Sequence, residues 1–231
     1  MILGLTKTQE DDLRRRGLTR KKLEQRMQRH GENDPEIASL PAAARAELVY
    51  KPKLQLSLTT ARSLAEKLRD QLKWATSRVV LVGSARRGKP VVKDVDILLI
   101  LPAGATEQRE RTALEALKLQ PGSTLKILKS YSSGPRRRSA IVRYNGSNYR
   151  VDFFLATHEE KPYALFHHTG SMMYNIRIRA HAKAKGWLLN QYGLFDQKNR
   201  RKLRGTGSLH TEADLARFLG VTYRPPENRQ R

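Results

Sequence analysis

Two short apolar runs constrain this chain more than anything else in it. Arg78-Val79-Val80-Leu81-Val82 stops at Gly83, and Asp94-Val95-Asp96-Ile97-Leu98-Leu99-Ile100-Leu101 stops at Pro102-Ala103-Gly104. Runs of this length, rich in branched aliphatic residues and cut by Gly or Pro, read as buried strands. Three more strand patterns follow at 124–131, 139–144 and 149–155, with Gly and Ser between them, and residues 106–118 suit a helix. The order predicts a mixed β-sheet with helices on one side, an α+β fold.

The flanks have another character. Residues 1–76 read as a basic helical segment. Thr19 is placed to cap a helix over 20–29 that stops at Gly31, Asn33-Asp34-Pro35 reads as a loop, and Pro41 opens a helix over 41–49. Leu58, Ala61, Leu64, Ala65, Leu68 and Leu72 recur at helical spacing, which predicts an amphipathic helix. Residues 77–157 hold the sheet. Residues 158–231 return to helix, with a strand-rich piece near 187–204, a last helix over 211–219 and an extended tail at 225–229.

The chain carries 45 Lys+Arg against 22 Asp+Glu, a formal net charge of +23 on 231 residues, and no cysteine. The missing cysteine excludes a disulfide framework, a Cys-ligated zinc site and a Cys nucleophile. No apolar run reaches the length of a membrane span, and the first residues lack the basic lead of a signal peptide, so an intracellular, non-secreted protein is expected. The charge asks for a polyanion, either nucleic acid or an anionic membrane surface. Segment 7–29 carries Arg14, Arg15, Arg16, Lys21 and Lys22, but it has few apolar residues and Gly17 interrupts it. That argues against a membrane-surface helix. Basic residues also recur along the whole chain, as a phosphate backbone requires.

The chemistry gathers at Gly83-Ser84-Ala85-Arg86-Arg87-Gly88. A strand delivers a Gly-Ser turn whose backbone N–H groups suit an anion. Ser84 adds a hydroxyl and Arg87 a planar fork of donors, so the turn reads as a cradle for nucleotide phosphates. Asp94 and Asp96 stand two apart on a strand and share a face. Carboxylates that point together repel unless a cation sits between them, and such a pair with phosphate oxygens suits Mg²⁺. Asp152 offers a third carboxylate from another apolar strand, with Arg150 on its face to hold it. Alone, Asp-x-Asp reads as a solvated strand end and Arg150–Asp152 as a surface ion pair; the Gly-Ser and Arg-Arg-Gly run upstream weighs against both. Three aspartates holding two metal ions suit in-line displacement at phosphorus, which makes nucleotidyl transfer the reaction class.

Together, Gly-Ser-x-Arg-Arg-Gly at 83–88 and Asp-x-Asp at 94–96 resemble the palm signature of the family X DNA polymerases. The likeness continues through Thr169-Gly170-Ser171, Asn175, Arg177, Arg179, Asn190-x-Tyr192-Gly193-Leu194-Phe195 and Leu219-Gly220-x-x-Tyr223-x-x-Pro226-x-x-Arg229, and is strongest toward the small viral members. It covers about residues 40–231. The resemblance implies a nucleotidyltransferase palm at 77–157, between a helical DNA-binding segment at 1–76 and a C-terminal α/β nucleotide-selection subdomain at 158–231. It implies template-directed filling of short gaps in DNA repair by a monomer, with two Mg²⁺ ions (Mn²⁺ able to substitute) and dNTP as substrate. Gapped or primed double-stranded DNA would be the main partner and a DNA ligase a further one; a viral member would work in the host cytoplasm or the virion.

Residue by residue, the resemblance makes Asp94, Asp96 and Asp152 the metal ligands, with Arg150 orienting Asp152. Gly83, Ser84, Arg87 and Gly88 would hold the β- and γ-phosphates. His167, Gly170 and Ser171 would lie beside the incoming sugar, Asn175 on the minor-groove edge, and Arg179 on the template side of the nascent pair. By spacing alone, Asn175, Arg177 and Arg179 read equally as one exposed basic helix face. Arg14, Arg15, Arg16, Lys21 and Lys22 would replace a DNA grip that relatives build from Gly-x-Gly hairpins. No counterpart of the relatives' amino-terminal lyase domain is seen and nothing marks Lys7, Lys21 or Lys22 for the burial a Schiff-base lysine needs, so no lyase activity is expected. His167-His168 stand where Tyr-Phe is common, and Phe154 where an Arg is common. Two further readings stay open: a template-independent terminal nucleotidyltransferase on the same palm, and a non-catalytic DNA-binding protein that keeps the fold.

Overall fold

The computed structural model describes residues 5–53, 55–73, 76–105, 125–134 and 136–229. Four short helices come first: α1 (Lys7–Arg15), α2 (Arg20–His30), α3 (Pro35–Ala38) and α4 (Ala42–Tyr50). Next come β1 (Leu56–Ser57), α5 (Leu58–Leu72), β2 (Arg78–Leu81), α6 (Gly83–Arg86), β3 (Val91–Val92) and β4 (Val95–Ile100). The strands β5 (Leu125–Gly134), β6 (Arg137–Tyr144) and β7 (Ser147–Ala156) follow. The chain then forms α7 (Lys161–Thr169), α8 (Met172–Ala184), β8 (Trp187–Asn190), β9 (Gly193–Asp196) and α9 (Glu212–Leu219). The helix expected over 106–118 lies outside the described residues. No helix among the described residues is long and apolar enough to cross a membrane.

The central sheet has the order β2-β4-β7-β6-β5 and is mixed, as the sequence predicted. Every neighbouring pair is antiparallel except β4 and β7. Strand β7 starts earlier than its apolar pattern because Asn145 (φ 47°) and Gly146 (φ 72°) close a two-residue turn and Tyr144 pairs with Ser147, while β6 gains Arg137 and Arg138 at its other end by pairing with Phe154 and Phe153. Such Asn-Gly turns match the twist of the flanking strands, so pairing extends to the loop.

Capping follows local chemistry. The Thr19 side chain accepts from the Lys22 N–H at the start of α2, and Ser57 accepts from the Thr60 N–H at the start of α5. Asn33-Asp34-Pro35, read as a loop, instead launches α3. Asp34 Oδ1 accepts from the N–H groups of Glu36 and Ile37 (2.9 and 3.3 Å), and Pro35 fills the first helical position. The tail at 225–229 is not extended as expected. A 3₁₀ turn over Pro226–Asn228 folds Arg229 back until its side chain is fully buried.

Apolar packing falls into separate clusters. Leu13, Leu23, Ile37, Leu40, Ala44 and Leu48 join α1–α4. The apolar stripe of α5 packs with one face of the sheet, among Ile97, Leu99, Val142, Val151 and Phe153, so in packing terms α5 belongs with the sheet. On the other face Val82, Leu98, Ile100 and Ala156 pack with Ala164 of α7, so helices lie on both faces and not on one as the sequence suggested. Tyr163, Phe166, Tyr174, Ile178, Leu189, Leu194, Leu215 and Leu219 form the C-terminal core.

Candidate active site

The site is a row across the sheet. The parallel pairing of β4 with β7 sets Asp96 opposite Asp152, and the antiparallel pairing of β7 with β6 sets Asp152 opposite Ser139. Side chains directly opposite on neighbouring strands share a face, so the three polar groups stand side by side. Asp94 precedes β4 by one residue and lies two residues before Asp96, which returns it to that face.

Gly83 makes room for this row. Its φ is +63°, and a Cβ built there would fall within the Asp96 carboxylate. The turn after β2 therefore requires glycine twice over, for its backbone and for the space Asp96 occupies. Val82 N–H donates to the Asp96 carbonyl (2.8 Å), which pins the turn to β4. Ser84 lies within α6 and Gly88 just beyond it. Arg87 follows α6 and donates from Nη1 to the Thr169 carbonyl. A Cβ at Gly170 would come within 3.0 Å of the same nitrogen. Arg87 thus lies across the Thr169-Gly170-Ser171 turn and joins the sheet to the C-terminal part. Burial lowers its pKa, an effect that Asp96 opposes.

The carboxylates are crowded. Burial, then Asp94, then Asp152 push the Asp96 carboxyl up to about 8, against the pull of Arg137 and Arg150. Burial and Asp152 also raise Asp94. Asp152 is itself 3 % exposed and richly bonded: Ser139 donates to Oδ1, Arg137 Nη2 to Oδ2 (2.9 Å) and Arg150 Nη2 to Oδ2 (3.3 Å). Arg150 is therefore next to Asp152 as the sequence suggested, but it is one of three donors. Arg137 and Ser139 escaped the sequence reading because they belong to the adjacent strand. Among the described residues no three carboxylate or imidazole groups already stand as a cation cluster. The three aspartates interact, but Asp152 is turned to its donors.

The C-terminal candidates converge on the same side. Asn175 Nδ2 donates to the His167 carbonyl (2.7 Å), and Arg179 donates to His167 Nδ1. Burial first, then Arg179, brings the His167 pKa down to about 4, so the ring is neutral and can accept. His168 is driven down to about 3 by burial and by His167, Arg137 and Arg179. Its ring stacks on Phe154 (centroids 4.0 Å apart), and Arg137 lies over the other partner of that stack, 5.4 Å from the Phe154 centroid. The Gly170–Ser171 peptide is cis, and Ser171 caps α8 by accepting from the Tyr174 N–H (3.3 Å). Met172, Met173, Ile176 and Arg177 are exposed on that helix.

A buried relay joins the parts. Glu212 accepts from Arg86 Nη2 through Oε2 and from Arg229 Nη1 through Oε1, both at 2.6 Å, while Arg86 Nη1 donates to the Thr169 hydroxyl. At the other end of the chain, Arg14, Arg15, Arg16, Lys21 and Lys22 are exposed. Arg16 is paired with Glu36 and with Asp12, and Arg15 stands 3.6 Å from Asp12.

Comparison with known proteins adds to this geometry. Residues 164–230 match the family model described as the DNA polymerase beta thumb. The chain is 37 % identical over 186 residues to the Repair DNA polymerase X of African swine fever virus (isolate Pig/Kenya/KEN-50/1950), covering 75 % of this chain and 99 % of that protein. It is 31 % identical over 161 residues to DNA polymerase lambda of Rattus norvegicus, covering 65 % of this chain and 28 % of that one. The crystal structure of Leishmania infantum polymerase beta in a ternary P/T complex superposes with a TM-score of 0.74 at 23 % identity, covering 100 % of this chain and 96 % of the other, and shares its fold.

Proposed function

This chain belongs to the family X DNA polymerases and is a DNA-directed DNA polymerase of the repair type, and on that premise we propose that it fills short gaps in double-stranded DNA by metal-dependent nucleotidyl transfer. The observation that carries the reading is the row Asp96–Asp152 across a parallel strand pair, with Asp94 on its face and the Gly83-Ser84 turn against Asp96.

The donor set fits hard divalent cations: three carboxylates on or beside adjoining strands, two of them held above the ordinary range by burial and by neighbouring carboxylates. Asp94, Asp96 and Asp152 would be the ligands, and Mg²⁺ or Mn²⁺ bound there would neutralise charge between carboxylates and triphosphate and acidify the attacking hydroxyl. Ser84, Arg87 and the backbone at Gly83 and Gly88 bind the β- and γ-phosphates and receive the charge that develops on the leaving pyrophosphate. The primer 3′-oxygen forms the new bond to the α-phosphorus, the bond from that phosphorus to the pyrophosphate oxygen breaks, and the 3′-hydroxyl proton passes to the Asp152 carboxylate. Arg150 orients Asp152. His167, Gly170 and Ser171 border the sugar, Asn175 meets the minor-groove edge of the incoming nucleotide, and Arg179 the template side, with Arg177 beside the DNA. Residues 1–76 grip DNA, 77–157 form the palm and 158–231 select the nucleotide. A DNA ligase then seals the product.

Single-nucleotide extension on gapped, nicked, primed and single-stranded DNA, at two salt concentrations, tests this. Gapped and primed substrates are expected to be extended with the templated base, and to lose efficiency as salt rises. Untemplated extension of single strands would instead favour a terminal transferase. Binding without extension would favour a non-catalytic DNA-binding protein.

A further inference from the structure

One buried charge lies outside the machinery above. Glu47 is 1 % exposed and sits on α4, where its neighbours Ala44 and Leu48 face the N-terminal apolar cluster. A buried carboxylate is costly to desolvate, and apolar side chains of similar volume often serve stability as well or better. Packing therefore gives no reason for an acid at this place. Its partner does: Glu47 Oε1 lies 3.7 Å from Arg150 Nη1, while Arg150 Nη2 lies 3.3 Å from Asp152 Oδ2. One guanidinium spans a helix of the N-terminal body and a carboxylate of the active-site row.

The two arginines on Asp152 differ in how they are held. The Arg137 side chain is 41 % exposed, whereas that of Arg150 is 11 % exposed and lies between two carboxylates. The segment after α4 is also fastened beside it. Lys53 N–H donates to the Asn148 carbonyl (2.8 Å), and the Asn148 side chain donates to the Tyr50 carbonyl. Asn148 is two residues from Arg150 on β7, so α4 and this stretch of strand are tied together. Glu47 also offsets a positive charge that would otherwise act in full on the three aspartates.

We propose that Glu47 is a positioning residue: it holds Arg150 at a fixed distance from Asp152 and shares its charge, so that Asp152 stays aimed and available to a divalent cation. The inference rests on the reading of Asp94, Asp96 and Asp152 as the cation-binding centre. It makes the N-terminal helices part of the active-site scaffold as well as a surface for DNA.

Glu47→Gln keeps the volume and removes the charge. It is expected to lower kcat on gapped DNA and to weaken Mn²⁺ binding, read by electron paramagnetic resonance without DNA or nucleotide, each on the order of tenfold. KM for the nucleotide should move by less than about twofold, because the phosphate-binding turn is untouched. In an Arg150→Met background, Glu47→Gln should change kcat by less than about twofold, since the two residues act as one unit. A variant that lowers Tm while kcat and Mn²⁺ binding hold, or effects that multiply in the double variant, would overturn the inference. Asp96→Asn run in parallel separates the two readings: if it still extends primers, the reading of the aspartates fails; if it is inactive while Glu47→Gln is unaffected, only the role of Glu47 fails. Should Glu47→Gln not fold, Glu47→Asp draws the carboxylate back by one methylene, and unchanged kcat and Mn²⁺ binding in that variant would overturn the inference.

Discussion

The basic residues of the N-terminal helices and the arginines around the sheet carry the same charge under different physical rules. Arg15 and Asp12 stand 3.6 Å apart with side chains 76 % and 49 % exposed, so water and salt screen the pair and it contributes little. Arg229 is fully enclosed, bonded to Glu212 and to the Arg224 carbonyl, with the rings of Tyr174 and Tyr223 against its guanidinium. The first kind acts at range, and its members add up. The second acts through geometry, and removing one member strands the others. A net charge of +23 is therefore two quantities, a diffuse field and a set of fixed contacts.

The contrast can be broken most sharply at Asp96. Asp96→Asn should lower primer extension on the order of a thousandfold or more, while DNA affinity, measured by anisotropy, stays close to that of the parent. A comparable loss of binding would mean that the fixed site and the diffuse field are not separable. Next in size is Glu212→Ala, which leaves Arg86 and buried Arg229 without the carboxylate between them. Urea denaturation should register a loss of about 3–5 kcal/mol; a loss below about 1 kcal/mol would place this relay with the surface pairs.

A pH effect sharpens the same division. The Asp96 pKa rises from an unfolded value of about 3.9 to about 8 in the fold. Its raised pKa adds stability that is fully present below the unfolded value and is lost as pH rises through the folded one. In chelator, Tm should fall between about pH 4 and pH 8 more steeply for the parent than for Asp96→Asn, and added Mg²⁺ should recover most at the alkaline end. Equal slopes would show that Asp96 does not resist ionisation. The smallest effect belongs to the exposed cations. Neutralising Arg14, Arg15, Lys21 and Lys22 should flatten the dependence of log K on log salt by about 0.9 per cation that meets a phosphate. Arg16 should add least, since Glu36 and Asp12 already engage it. An unchanged slope would remove α1 and α2 from the DNA contact.

What the sequence disclosed follows the same line. Period-two phasing within a strand was readable, and it put Asp94 with Asp96 and Arg150 with Asp152. Register between strands was not, so the alignment of Asp96, Asp152 and Ser139 had to come from the structure, and so did Arg137, which reaches Asp152 from β6. The end of α2 at Gly31 and the cap at Thr19 were local and legible. Arg229 was not, because Pro225-Pro226 suggests an extended tail and its burial depends on Glu212 and two tyrosines elsewhere. Glu47 lies in an Ala-rich helix with nothing beside it in sequence to mark its partner. Local chemistry is written locally, and contacts made by tertiary pairing are not.

The parallel pairing of β4 with β7 carries one more consequence, in the order of folding. A parallel pair cannot close through a hairpin, so Asp96 meets Asp152 only after the β5–β6–β7 meander that lies between them in sequence has come round. Non-local pairings of this kind form slowly, because the intervening chain must lose its freedom before any contact repays it. The helices of the first fifty residues close their own apolar cluster without that pairing, and α4 then meets the sheet through Glu47 and Tyr50. A chain emerging from the ribosome therefore has its basic surface early and its carboxylate row late. Between those moments it is a dense positive charge without the ordered carboxylates that later stand across the sheet.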